Sequence, residues 1–218
     1  MTTKGYRQLT TGLIAVWFIF TLSASALHWV KTDPSRPPLP LLVAFLTPIA
    51  AFLLWYRNST AFREFMLSLS PQTLTIVQSW RIAGFTFLTL YSYGILPGVF
   101  ALPAGWGDIA IGATALIVAV KLADPSHKRS FILWQCLGIA DLVAAVSLGA
   151  AAQFIGPQGF TGTNAITTAP MTVLPLSMIP AFAVPLMLIL HIICIAQARR
   201  WSEPAHAGGG ERAGSLAA

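Results

Sequence analysis

The sequence predicts an all-α membrane protein, a polytopic bundle of about six transmembrane helices with both termini in the cytoplasm. Three observations carry that reading. Hydrophobic residues make up 56% of the 218 residues and charged residues 9%, where soluble domains carry about 25% charged. The mean hydropathy is +0.71, and a soluble fold this apolar would expose large aggregating patches. The apolar residues gather into runs near the ~20 residues that cross ~30 Å of hydrocarbon, at 11–30, 38–56, 73–95, 103–122, 131–152 and 175–197. Too little polar sequence is left for a separate soluble module. Residues 1–202 therefore read as a single transmembrane domain, followed by a low-complexity tail, 203–218, expected to be disordered.

The basic residues set the threading. Lys4, Arg7, Arg57, Arg63, Lys121, Lys128, Arg129, Arg199, Arg200 and Arg212 fall on the side of the termini, and only Lys31 and Arg36 fall on the other. Ten against two predicts N-in and C-in by the positive-inside rule, as in a bacterial-type inner membrane. The net charge of +6 is scattered at the ends of apolar runs, so nucleic acid is not an expected partner. Cys136 and Cys194 both lie inside apolar runs and read as buried small hydrophobes, not as a disulfide.

The first run is preceded by Lys4 and Arg7 and followed by Ala24-Ser25-Ala26, which imitates a secretory signal peptide. Cleavage there would leave five spans and an outside N-terminus. Continuation of the apolar run to Trp29 and Val30 favours a retained span instead. The first outer loop, KTDPSRPPLP, is short and proline-stiffened. Phe62, Phe65, Met66 and Leu69 recur at helical spacing, as an amphipathic turn on the inner membrane face or as a plain helical connection. ADPSHKRS is a polar turn, and the uncharged stretch Gln153 to Thr172 is a lid over the bundle mouth or a flexible loop. Pro170, Pro175, Pro180 and Pro185 recur every five residues. Each frees a carbonyl one turn back, so the start of the sixth run is expected to kink, either lining an outer vestibule or simply packed.

Within the six runs, apart from Lys121 at the inner end of the fourth, the formally charged residues are Arg81, Asp108 and Asp141. A buried charge in hydrocarbon costs at least about 2.5–3.5 kcal/mol and calls for a partner. Arg81 and Asp141 lie about 12 and 15 Å from the inner side at 1.5 Å per residue, which pairs them. Asp108 enters from the outer side and comes out roughly 10 Å higher, where Gly105-Trp106-Gly107-Asp108 reads as a helix N-cap or an outward-facing site acid. Gln78 lies one turn from Arg81, and Ser79, Thr86, Thr89 and Tyr93 form a polar stripe beside it. These hydroxyls line a hydrated path or bond back to their own helix. His191, in the inner third of the last run, reads as a packing histidine or a proton relay beside Asp141. His28 lies near the opposite surface, too distant for both to hold one haem.

No HExxH, GxSxG, Walker loop or paired CxxC occurs, and no catalytic residue, metal site or cofactor is predicted. The function expected first is a small proton- or ion-coupled transporter or channel-like protein, with Arg81, Asp108, Asp141, His191, Gln78 and Tyr93 along its pathway. The alternative is an accessory subunit whose buried charges specify packing, and a third reading is a redox cofactor-binding membrane protein. Expected partners are the lipid bilayer, a small ion or proton, and a second copy or a larger membrane complex.

Overall fold

The computed structural model describes residues 3–33, 36–155 and 166–202, which form helices and turns and no strand. The tail expected at 203–218 and residues 156–165 of the loop expected at Gln153–Thr172 lie outside the described residues. Among those described, eight α-helices follow one another: α1 Thr3–Ala26, α2 Leu39–Asn58, α3 Thr60–Leu67, α4 Pro71–Val77, α5 Phe85–Ser92, α6 Gly98–Lys121, α7 Lys128–Ile155 and α8 Val184–Arg199. A 3₁₀-helix, Gln78–Gly84, joins α4 to α5, and a π-turn, Ile179–Ala183, leads into α8.

Five stretches are long and apolar enough to cross a membrane: Lys4–Ala26, Leu39–Asn58, Gly98–Lys121, Pro125–Gln153 and Ile179–Arg199. The third expected run, 73–95, winds continuously from Pro71 to Ser92 but in three pieces, so no single helix there has the length. The fourth begins earlier than expected, at Gly98, with Pro97 as its N-cap. Pro103, where the expected run begins, sits inside this helix. The start of the sixth run is irregular: a π-turn, Ile179–Ala183, contains Pro180, and Pro185 follows in the first turn of α8.

α6 is the centre of the packing, in contact with α4, the 3₁₀-helix, α5 and α7. α7 packs on α8, and α8 on α2 and α4. The 3₁₀ backbone lies directly on α6 because Gly112 carries no side chain. A Cβ there would come within 2.9 Å of the Arg81 carbonyl carbon. The outward faces are apolar, with Val16, Val43, Val120 and Leu133 each more than 60% exposed. This arrangement inverts the water-facing pattern and suits contact with hydrocarbon chains.

α1 stands at the edge, with the Trp17 and Phe18 rings 4.6 and 5.1 Å from Phe182 and the Tyr6 ring stacked 5.7 Å from Phe65. α3 is a helical connection folded onto the bundle, not a turn lying free on its surface. Its Phe62, Phe65 and Met66 are buried against Phe52, Ile189 and Ile193. The Ser59 hydroxyl caps it by accepting from the Phe62 N–H at 3.2 Å. Arg63 turns back to donate to the Tyr56 and Arg57 carbonyls at 3.1 and 2.8 Å, closing the open C-terminus of α2.

The two ends of the bundle are built differently. At one end Gln72 donates to the Ala123 carbonyl at 2.9 Å, Lys128 to that of Trp201 at 2.8 Å and Gln197 to that of Leu69 at 2.7 Å. Arg200 pairs with Glu64 there at 3.1 Å. Nine of the ten residues expected on the inner side cluster at this basic end, and Arg212 lies outside the described residues. At the opposite, proline-rich end the Thr32 N–H donates to Thr172 at 3.3 Å, and Gln153 donates to the Arg36 carbonyl at 3.4 Å. Cys136 and Cys194 are both free thiols; Cys194 is buried as expected, but Cys136 is exposed on α7, which corrects the expectation that both are buried.

Candidate functional site

A guanidinium has five donors in a rigid plane and can face several acceptors at once. Arg81, 5% exposed on the 3₁₀-helix, uses every arm. Its Nε donates to Asp108 Oδ1 at 2.7 Å, and its Nη2 to Asp141 Oδ2. Its Nη1 donates to the Gly138 carbonyl at 3.3 Å and lies 3.2 Å from His191 Nε2. The expected Arg81–Asp141 pair is therefore present. The placement of Asp108 some 10 Å above it is corrected. Because α6 starts at Gly98, Asp108 sits ten residues into the helix, about 15 Å along it and level with both partners. For the same reason Asp108 is not an N-cap.

Glycines make the cluster possible. A Cβ on Gly107 would run into the Asp141 carboxylate, and one on Gly138 would run into the His191 ring. α6, α7 and α8 approach one another at these points with only side-chain polar groups between them.

His191 is fully buried, its Nδ1 2.5 Å from Gln135 Oε1. Arg81 can only donate and the Gln135 oxygen can only accept, which assigns the proton to Nδ1 and leaves a neutral ring. The order continues beyond it. Gln135 Nε2 donates to Thr75 Oγ1 at 3.2 Å, and the Thr75 hydroxyl donates to the Pro71 carbonyl at 2.8 Å. One polarity thus runs unbroken from Arg81 through His191, Gln135 and Thr75 to the first residue of α4, at the basic end.

The formal charges do not balance. With His191 neutral, one guanidinium faces two carboxylates. Each carboxylate gives Arg81 one oxygen, while Asp108 Oδ2 and Asp141 Oδ1 accept no hydrogen bond from the described residues. Asp108 also lines a cavity of about 70 Å³ between α2, α5, α6, α7 and the 168–184 segment, toward the proline-rich end. Thr168, Met171, Ile179 and Pro180 belong to its wall, so the irregular, proline-bearing entry to α8 borders this space.

The other expected site residues divide. Gln78 is buried one turn from Arg81, where its Nε2 donates to the Met187 carbonyl at 3.0 Å and its Oε1 has no partner. Tyr93 lies outside the cluster, 76% exposed in the turn after α5. Thr89 is also exposed and bonds back to the Phe85 carbonyl at 3.1 Å. The stripe does not continue the Arg81 cluster: the 3₁₀ winding of Gln78–Gly84 rotates α5 away from the phase a straight helix would have kept. The sequence reading missed Gln135 and Thr75, which are uncharged and so escaped a search for formal charge. Two lone amides or hydroxyls inside apolar runs were the available signal.

No curated protein and no solved structure matches the chain. A family does: residues 38–199, from the N-cap of α2 to the last residue of α8, match the domain of unknown function DUF8737. That stretch contains Arg81, Asp108, Asp141, His191 and the cavity wall and omits α1, and the chain belongs to this family.

Proposed function

We propose that the chain is a six-span protein of a bacterial-type inner membrane, N-in and C-in, that carries a proton or small cation through the Arg81 cluster. The ten-to-two distribution of basic residues supports the orientation, and the segmented run Pro71–Ser92 supplies the sixth span. The observation that carries the reading is the charge imbalance: one guanidinium against two carboxylates in a water-poor interior. A surplus negative charge there is expensive, and a proton or monovalent cation removes it.

The geometry suggests how the steps divide. A cation reaching Asp108 from the cavity meets its unbonded oxygen and competes with Arg81 for the other. Arg81 then keeps Asp141, the Gly138 carbonyl and His191. Broken helices hold substrate and ion sites in several transporter folds, and a 3₁₀ stretch within a helix is a place where winding can change. Gln78–Gly84 is such a stretch and bears the arginine. Towards the basic end the path is closed by the His191–Gln135–Thr75 chain, so release on that side requires this packing to rearrange.

The test is flux from purified protein in liposomes that enclose a pH-sensitive dye, with an imposed inside-negative potential. The parent acidifies the lumen, and Asp108→Asn and Asp141→Asn lose that signal. Undiminished flux in both variants contradicts the proposal. So does a parent that is silent both to this dye and to a cation-sensitive dye in the same liposomes, and one recovered from native membranes within a larger complex would instead favour the accessory role.

A further inference from the structure

The cavity beside Asp108 has a composition of its own. Phe45 of α2, Phe87 of α5 and Phe100 of α6 contribute to its wall, and Asp108 is the charged residue among those that line it. Its other polar side chains are committed. Thr168 donates to the Gly149 carbonyl at 2.6 Å, and Gln153 to the Arg36 carbonyl at 3.4 Å. An anion entering this space would meet the Asp108 carboxylate, with one N–H of the Gln153 amide as the donor left to it. A metal cation would find far fewer than the roughly six oxygens that replace a hydration shell. A sugar would leave its hydroxyls unpaired in an apolar wall.

One class of ligand suits every group present. A small organic ammonium places its charge against a carboxylate and against the faces of aromatic rings, and buries its alkyl groups among aliphatic side chains. Size agrees: a single water occupies about 10–15 Å³ on the measure that gives this cavity about 70 Å³. There is room for a handful of non-hydrogen atoms. The geometry points to a binding site for a small alkylammonium cation, its charge on Asp108 and its alkyl groups against Phe45, Phe87 and Phe100. Binding also supplies the positive charge that the Arg81 cluster lacks, so ligand and proton compete for one carboxylate. This inference rests on the proposed role of Asp108 as a site acid and names the chemistry of what it accepts.

Equilibrium binding tests it separately from transport. Tetramethylammonium is titrated calorimetrically into the full-length protein in detergent, alongside tert-butanol, a neutral molecule of similar size, and sodium. Saturable binding of tetramethylammonium is expected, with tert-butanol and sodium without effect at the same concentrations. Asp108→Asn weakens binding about tenfold or more. Ala150→Leu, which fills the cavity and leaves the carboxylate in place, does the same. The inference is overturned if the parent binds no tetramethylammonium, or binds tert-butanol or sodium equally well. Undiminished binding in Ala150→Leu overturns it too, even should Asp108→Asn fail to fold. A parent that binds tetramethylammonium but passes no protons keeps this inference and loses the flux reading. One that passes protons without binding it does the reverse.

Discussion

The basic end and the proline-rich end of this bundle use the same few polar residue types to opposite effect. At the basic end amides and hydroxyls reach across helices and interlock: Gln197 onto the Met66 and Leu69 carbonyls, Gln135 onto Thr75, Gln72 onto Ala123. Phe131, Cys194 and Ala198 fill the space between them. At the proline-rich end the chain into α8 passes through a 3₁₀ turn and a π-turn before it becomes regular. The walls there stand apart enough to leave a cavity against Asp108. Arg81 sits at the boundary. The difference teaches that the cluster is approached from one side and sealed on the other, by ordinary side-chain satisfaction on one side and by prolines that interrupt helix packing on the other.

The largest expected effect comes from removing the group that both halves share. Arg81→Ala strands two carboxylates together with no cation, and breaking a buried ion pair by deleting one partner costs about 3–5 kcal/mol. Thermal unfolding in detergent should show a fall of that size, or failure to accumulate folded protein. An unfolding temperature near the parent's would mean that the pairs do not hold the helices together. Next in size is Gly107→Ala. Its new methyl overlaps the Asp141 carboxylate, so α6 and α7 must separate, at a cost of about 1–3 kcal/mol. The same assay reads it, and an unchanged stability would place the two helices farther apart than they stand here.

His191→Ala tests the sealed side. It leaves the Gln135 oxygen without its donor, and an unpaired buried polar group costs about 1–3 kcal/mol. Hydrogen exchange should rise at the start of α4 and in the half of α7 nearer the basic end, and stay as in the parent around Phe87 and Phe100. An equal rise on both sides would dissolve the contrast between the ends. The smallest effect is expected for the exposed Glu64–Arg200 pair. Glu64→Ala should change stability by about 0–1 kcal/mol, and less at high salt.

Outside the spans, Asp124 gives a pH signature. The Ser126 hydroxyl and then His127 bond its carboxylate and hold it below the usual carboxylate range. A lowered value means a contribution present above the ordinary pKa, about 3.9, and lost as pH falls through the depressed one. A carboxyl NMR titration of Asp124 should therefore have its midpoint below that of a free aspartate, and Ser126→Ala should move it back up.

How much of this could be read from the sequence depends on which interactions decide each feature. Helices long enough to span are a matter of apolar length, and five appear where the runs predict them. Pairing of Arg81 with Asp141 was legible too, since both depths were counted from the same side. Asp108 was misplaced by a single cause. The fourth run was started at Pro103, yet α6 starts at Gly98 and carries Pro103 within it, so a five-residue error in the helix start became an error in depth. Gln135 and Thr75 were illegible for another reason. Nothing local distinguishes a buried amide that completes a network from one that merely tolerates its helix. Tyr93 lies away from the cluster because the stripe was drawn on a straight helix, and the 3₁₀-helix before α5 changes its phase.

The most direct test of the charge imbalance is the unfolding temperature of Asp108→Asn, Asp141→Asn and the double variant, compared with the parent at neutral pH. Arg81 needs one carboxylate and has two, so either single variant should remain within a few degrees of the parent. The double variant leaves Arg81 uncompensated and should collapse, by far more than the sum of the singles. If each single variant is as damaging as the double, the cluster has no surplus acid. A proton or cation would then have no vacancy to fill, and the proposed function would lose its basis.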